Sequence, residues 1–309
     1  MPKIAYKEIR FKGSARAVVA QAQVILNEYS GLALTLRQLY YQFVARGLLP
    51  NRQTEYNRLG RIVDDARMSG HIDWDSIIDR TRGVRSLSHW DDPSEIIDAC
   101  AKQYRVDMWA HQGHRPEVWV EKDALVGIVQ QACEPLDVPY LSCRGYTSQS
   151  EMWRSSQRLK SYLEGHQTPV IFHFGDHDPS GKDMTRDIVD RLQMFLRAEG
   201  LLADNEEIEV RRLALNMDQV RKYKPPPNPA KQTDSRFEAY AAEFGNESWE
   251  LDALDPKLLH KTMQTAINDL IDEDLWQQDA SKAKKGRELL AKAAKRWPKL
   301  AKSLARSKS

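Results

Sequence analysis

The sequence predicts an α/β protein: a helical N-terminal domain, then a domain built on a mostly parallel sheet covered by helices. Two patterns carry this reading. From Pro116 onward, β-rich apolar runs at 117–121, 138–143, 169–175 and 207–214 alternate with helical stretches at 123–133, 149–164 and 182–199. Strands that alternate with helices build parallel sheets buried on both faces. Before residue 80 the apolar residues instead recur at helical spacing, without a strand-like alternation. At 309 residues the chain has room for more than one core. The boundaries read from composition are 1–92, a linker helix and loop at 93–115, 116–280, and a basic tail at 281–309.

In the N-terminal part, Ala17, Val18, Ala20, Val24, Ile25 and Leu26 predict a helix over 14–29. A second spans Leu34 to Gly47, with Thr35 as N-cap, Gly47 as stop, and Leu36, Leu39, Phe43 and Val44 as its buried stripe. After a short loop, a third helix at 54–69 buries Tyr56, Leu59, Ile62, Val63 and Ala66 and displays Arg58, Arg61 and Arg67. A basic stretch follows at Arg80, Arg82 and Arg85. Three helices, a short turn before an arginine-bearing third, and then an extended segment read as a winged helix-turn-helix that binds double-stranded DNA.

Ser94 is expected to cap a linking helix running to Ala110, and His111 and His114 to sit solvated in the loop that follows. Residues 217–232 hold Pro225, Pro226, Pro227 and Pro229 and predict an irregular polyproline-like loop. A helix is expected at 235–244, a short strand at 249–254, and a helical region from Pro256. From Ser281 the chain carries eleven lysines and arginines against a single acid, Glu288, a pattern suited to phosphate backbones. Three irregularly spaced cysteines, Cys100, Cys133 and Cys143, argue against a disulfide scaffold or a Cys-rich zinc site. With 29% charged residues, a mean hydropathy of −0.63, no membrane-length apolar run and no signal-peptide core, a cytoplasmic, nucleoid-associated protein with no membrane partner is expected.

The chemistry centres on Pro169–Gly181. Its apolar strand stops at Gly175, and Asp176 and Asp178 follow at a spacing that points both the same way on extended chain. A second strand, 117–121, ends in Glu121. Carboxylates at the C-terminal ends of central strands sit where open α/β sheets bind ligands. Three hard oxygen donors with no cysteine nearby suit Mg²⁺ or Mn²⁺ rather than zinc. An EF-hand spacing at Asp176, Asp178, Ser180, Gly181 and Asp187 is a decoy, because a strand precedes it and Pro179 lies inside it. Glu250 and Asp252 are candidates to support the metal. His173 is expected to pack, and His177 to reach substrate.

A strand ending in Glu, a βαβ unit and a strand ending in Asp-x-Asp resemble the Toprim domain. With the helical half included, the set resembles topoisomerase VI A subunits and the related meiotic double-strand-break protein. Arg37-Gln-Leu-Tyr-Tyr41 is similar to their Arg-x-x-Tyr-Tyr motif, Glu121-Lys-Asp to their first Toprim motif, Ser142-Cys-Arg-Gly-Tyr-Thr to their glycine motif, and Asp176-His-Asp-Pro-Ser-Gly to their Asp-x-Asp-Pro motif. Ser180 stands where an aromatic is usual and Gln38 where an acid is usual, and the chain is short for an A subunit. The resemblance implies a winged-helix domain followed by a Toprim domain. It also implies Tyr41 as nucleophile, Mg²⁺ at Glu121, Asp176 and Asp178, and a homodimer in which one protomer's tyrosine meets the other's metal. A phenol with a pKa near 10 needs help to attack a phosphodiester, and Arg37, one helical turn before Tyr41, is positioned to give it. Lys122 and Arg144 are expected to contact DNA.

Two alternatives stay open. The same metal site could activate water, as in the nucleases of plasmid-defence systems, or the chain could bind DNA or a partner without catalysis. No ATP-binding motif is present, so full topoisomerase activity implies a separate ATPase subunit.

Overall fold

The computed structural model describes residues 3–78 and 87–306, with 300 and 304–306 by backbone alone. The predicted basic residues Arg80, Arg82, Arg85 and Lys308 lie outside the described residues. Contacts divide the chain into two units, 1–82 with 116–268, and 83–115 with 269–309.

The first unit opens with α1 (Gly13–Glu28), α2 (Leu36–Ala45) and α3 (Gln53–Met68). Their apolar faces meet in one core that includes Val19, Ala22, Ile25, Leu39, Phe43, Leu59 and Val63. Val24, one of the residues whose spacing predicts α1, is exposed. Thr35 caps α2 as predicted. Its Oγ accepts from Gln38 N, and Gln38 Oε1 accepts from Thr35 N at 2.8 Å, a reciprocal capping box. Gln38, a departure from the resembled motif, therefore has a local structural use. After α3 the chain makes single bridges, Leu34 with Ile77 and Ala5 with Ser69, and no wing hairpin forms among the described residues.

The sheet is parallel throughout, with β1 (His114–Val120), β2 (Tyr140–Ser142), β3 (Thr168–Phe174) and β4 (Glu209–Ala214) in the order β2-β1-β3-β4. The two central strands are buried nearly end to end, which explains their continuous apolar runs. α5 (Val126–Cys133) links β1 to β2, α6 (Gln149–Glu164) links β2 to β3, and α7 (Pro179–Ala198) links β3 to β4. Trp119 and Ile171 pack with Met152 and Leu159 of α6 and Ile188, Leu192 and Leu196 of α7. The chain steps one way from β1 to β2 and the opposite way from β3 to β4. That reversal makes the seam between β1 and β3 a topological switch point, and an open α/β sheet forms its crevice there, at the strands' C-terminal ends.

Beyond the sheet two expectations fail. Residues Met217–Tyr223 form a helix, α8, rather than irregular loop, because Asn216 and Gln219 make a second capping box. The prolines begin only after Lys224, which ends the helix in the left-handed region. A two-residue strand β5 (Asn228–Pro229) pairs with β6 (Glu247–Ser248), and α9 (Phe237–Phe244) lies between them. The predicted strand at 249–254 is instead a 3₁₀ turn, Leu251–Ala253, followed by α10 (Pro256–Asn268). Trp249 still pairs with His177 through two backbone hydrogen bonds of 2.8 and 2.9 Å.

The second unit unites the predicted linker and tail. α4 (Pro93–Gln103) is shorter than expected and is capped by Asp92 rather than Ser94. α11 (Glu273–Arg306) is one 34-residue helix packed along α4. Trp109 meets Trp276 edge-on at 5.7 Å, and Gln112 exchanges hydrogen bonds with the backbone of Asp272. His111 is exposed, as expected, and also pairs with Asp279 at 2.8 Å. Gly286 faces the Tyr104 ring, which any Cβ there would strike. Among the described residues no helix is long and apolar enough to cross a membrane.

Candidate active site

The switch point brings Glu121 and Asp176 together. Glu121 N donates the last rung to Phe174 O at 2.8 Å, and Glu121 Oε2 accepts from Asp176 N at 2.8 Å. Asp176 Oδ1 accepts from Leu251 N at 2.8 Å, so the 3₁₀ turn is anchored to the acid loop. Its Oδ2 lies 2.8 Å from Lys122 Nζ. Asp178 turns away to cap α7: its Oδ1 accepts from Gly181 N at 2.6 Å and from Ser180 Oγ at 3.0 Å. A Cβ on Gly181 would overlap the Asp176 carbonyl oxygen, so the turn that sets both aspartates requires glycine.

Arg212, which the sequence reading missed, holds this loop from beneath. Its Nη2 donates to Gly175 O at 3.0 Å and to Asp176 O at 2.5 Å, and its Nη1 donates to Gly181 O and Thr185 Oγ1, both at 2.8 Å. Burial pushes its pKa down to about 10, with Glu121, Asp176 and Asp178 opposing. A signal existed in Arg211-Arg212: adjacent residues on a strand face opposite sides, so one of the pair must point inward.

Arg37 and Tyr41 of α2 line the same cleft of about 500 Å³ as Glu121, Lys122, Asp176, Asp178 and Glu250. Arg37 Nε donates to Asp252 Oδ2 at 2.6 Å, its Nη2 pairs with Glu250, and Nη2 stands 3.5 Å from the Tyr41 hydroxyl. Lys122 Nζ contacts Glu250 Oε2 at 2.9 Å and Asp252 Oδ1 at 3.1 Å as well as Asp176. The neighbouring tyrosine has a different task. Tyr40 OH accepts from Arg52 N at 2.7 Å and is 3.1 Å from Pro50 O, which fixes the turn between α2 and α3.

Five carboxylates thus face three cations: Glu121, Asp176, Asp178, Glu250 and Asp252 against Lys122, Arg37 and Arg212. Asp176 shows the imbalance. Burial, then Glu121 and Asp252, push its pKa up to about 7 despite the opposing Lys122. Glu121 is raised by burial and Asp178. Burial works against the Lys122 ammonium, but Asp252, Asp176 and Glu250 outweigh it and raise its pKa. Both partners of the Lys122–Asp176 pair therefore shift upward. Lys122 answers to three carboxylates, whereas Asp176 lies deeper and is crowded by two of its own kind. Glu250, held by Lys122 and Arg37 against the cost of burial, drops to about 2.

Tyr41 is 4% exposed. Burial, then Asp252 and Glu250, raise its pKa, and these outweigh Arg37 and Lys122. Arg37 acts in the expected direction, favouring the phenolate, but its guanidinium is already matched by two carboxylates and the net shift is upward.

Among the described residues no three His, Cys, Asp or Glu side chains stand arranged as a metal cage; the Lys122 ammonium sits among the acids. The donor chemistry nevertheless fits a hard divalent cation. Glu121 Oε1 and Asp178 Oδ2 have no hydrogen-bond donor among the described residues, and the cluster carries surplus negative charge.

The other predicted residues divide. Arg61 is exposed on α3. Arg58 binds Glu55 and Ser14. Arg67 turns inward, donating to Trp74 O at 2.9 Å and covering the Trp74 ring. Arg144 is exposed and pairs with Asp123 at 2.7 Å. Lys122, expected to contact DNA, is folded into the acid cluster. His173 packs as expected, its Nδ1 2.8 Å from Thr185 Oγ1. His177 does not face the cleft: it is fully buried among Tyr240, Phe244 and Trp249, its Nδ1 2.8 Å from Tyr240 OH. No family model, curated protein or solved structure matches the chain.

Proposed function

We propose that this chain cleaves DNA through a tyrosine nucleophile, in the manner of the topoisomerase VI A family that its motifs resemble. One observation carries the reading. Arg37 and Tyr41, from the helical half, line the same cleft as Glu121, Asp176 and Asp178 at the sheet's switch point. The three-helix core suits a helix-turn-helix role, and a parallel sheet with acids at its central strand ends suits a Toprim role.

In this reading Tyr41 Oη attacks a backbone phosphorus. A phosphotyrosyl bond forms, the phosphorus–oxygen bond to the adjoining nucleotide breaks, the phenol proton passes to solvent, and the departing oxygen takes one up. Glu121, Asp176 and Asp178 would hold Mg²⁺ or Mn²⁺, which supplies electrostatic stabilisation of phosphate charge. Arg37 orients the phenol, and Arg212 fixes the acid loop. Arg61, Arg144 and the exposed lysines of α11 supply sequence-independent phosphate contacts. Cutting both strands calls for a homodimer, and strand passage for a separate ATPase subunit. A DNA substrate implies residence with the nucleoid.

A second reading, hydrolysis by a metal-activated water, is favoured by one observation: the Tyr41 phenol is buried and its pKa raised. Supercoiled plasmid incubated with Mg²⁺ and resolved on denaturing gels, with and without protease, separates the two. Transesterification leaves a protein–DNA adduct that Tyr41→Phe and Asp176→Ala both abolish. If Tyr41→Phe cuts as well as wild type and no adduct forms, water is the nucleophile.

A further inference from the structure

We infer that Arg52 and Lys231 form an anion seat in the cleft, one that takes the sugar–phosphate backbone of a DNA strand with one phosphate to each cation. The seat rests on the reading above for its ligand, the strand that Tyr41 attacks. It holds whether the acids that meet Tyr41 belong to the same chain or to a second copy.

Four cations line the cleft: Arg37, Arg52, Lys122 and Lys231. Two of them are spent. Arg37 pairs with Glu250 and Asp252, and Lys122 with Asp176, Glu250 and Asp252. Arg52 and Lys231 are exposed, and neither side chain has a carboxylate or hydrogen-bond partner among the described residues. On an outer face a solvated cation calls for no partner. These two instead stand on the wall of a cleft, where the surrounding protein focuses the field of a charge on whatever enters.

Their backbone is fixed although their side chains are free. Arg52 N donates to Tyr40 OH at 2.7 Å, and that hydroxyl is 3.1 Å from Arg52 O. Just past β5, Ala230 N donates to Asn246 O at 2.9 Å, and Lys231 O accepts from Asp234 N at 3.1 Å. One bond joins the two stretches: Asn51 Nδ2, next to Arg52, donates to Asn228 Oδ1 of β5 at 2.9 Å. Asn228 Nδ2 donates in turn to Glu250 Oε1 at 3.4 Å, so the stretches that carry the free cations adjoin the acid cluster. Tyr56 lines the cleft with them, its ring edge-on to Tyr40 at 5.4 Å. The cleft therefore has two chemical parts. One holds carboxylates and the cations that match them. The other offers two unmatched cations, two amides and an aromatic ring, a set that suits a phosphodiester with its sugar and base. The charges that dominate at the Tyr41 phenol are Asp252, Glu250, Arg37 and Lys122. Arg52 and Lys231 thus act on phosphates that flank the one attacked, and not on the nucleophile.

The test follows a short fluorescein-labelled duplex by anisotropy with the full chain in EDTA, where no metal-dependent cutting intervenes, over a series of KCl concentrations. Arg52→Gln and Lys231→Gln should each flatten the slope of log K against log salt by about 0.9, the share of one phosphate, and the double variant by about 1.8. Tm should stay within about 2 °C of wild type, because neither side chain has a partner that its loss would strand. Arg52→Lys and Lys231→Arg should keep the wild-type slope. In the wild-type chain the duplex should shield Lys231 from acetylation by sulfosuccinimidyl acetate, read by mass spectrometry. Unchanged slopes, equal acetylation of Lys231 with and without DNA, or no binding of the duplex overturn the inference; so does a larger fall in Tm, which marks a structural role. A chain that binds with these slopes but forms no adduct with Mg²⁺ keeps the seat and loses the tyrosine reading. One that cuts through Tyr41 with slopes untouched by both substitutions loses the seat and keeps that reading.

Discussion

Replacing Lys122 by Met tests whether this ammonium is the resident counterion of the acid cluster. The side chain is 22% exposed and touches Asp176, Glu250 and Asp252 within 3.1 Å. Methionine keeps the length and loses the charge, so Glu250 and Asp252 are left with Arg37, and Asp176 with Arg212, as the remaining cation. Breaking a buried pair typically costs about 3–5 kcal/mol. Partial solvent access to Lys122 and Glu250 places this case at the lower end, about 3 kcal/mol. For a unit of this size that lowers Tm by roughly 6–12 °C in chelator. Saturating Mn²⁺ at about a hundred times Kd returns about 2.7 kcal/mol, so the variant regains most of its Tm. The wild type gains less, because a cation entering there must displace the ammonium. Calorimetric scans of both proteins, with EDTA and with Mn²⁺, read all four values. A variant within 2 °C (about 1 kcal/mol or less) of wild type in EDTA, or an equal Mn²⁺ shift in both, refutes the counterion role.

Two further outcomes follow from the same geometry. Asp176 holds its proton up to about pH 7 through burial and its acidic neighbours, and a bound cation requires the carboxylate. Mn²⁺ affinity, followed by electron paramagnetic resonance, should therefore be flat above pH 7 and fall by about tenfold per pH unit below it; an affinity independent of pH between 5.5 and 7 would contradict this. Lys284, Lys285 and Lys292 are exposed on α11, and changing all three to Gln should flatten the salt dependence of DNA binding by about 0.9 in slope for each phosphate no longer neutralised. An unchanged slope would make that face a solvated one; point changes are the sounder probe here, because deleting 281–309 removes much of a helix that packs on α4.

The sheet and its acids were legible because local and global signals agree there. α6 matches its predicted span of 149–164, with Ser148 capping it through Glu151 N, and β1 and β3 are apolar because both faces are covered. The misses have separate causes. The prolines drew attention away from Asn216-Met-Asp-Gln219, a capping box that was readable and that starts α8 before the first proline. The partnership of α4 with α11 joins segments 170 or more residues apart, and a lysine-rich helix looks solvated whether or not its other face is packed. Lys122 and Arg144 carry the same charge in sequence. Only the fold shows that one neutralises buried carboxylates while the other stands exposed.

The charge balance also constrains when the proposed chemistry can run. Arg37 sits one turn from Tyr41, the spacing from which activation was expected, yet its charge is consumed by Asp252 and Glu250. The same two carboxylates, after burial, hold the phenol proton in place. A lower Tyr41 pKa therefore requires positive charge beyond Arg37 and Lys122, or a rearrangement that gives Glu250 and Asp252 other partners. Lys122 connects the two conditions, since its ammonium bridges Asp176 to that same pair. Under the proposed function, the Tyr41 phenol would keep its proton until Glu250 and Asp252 meet other positive charge, and the chain would not cut DNA before that charge is supplied.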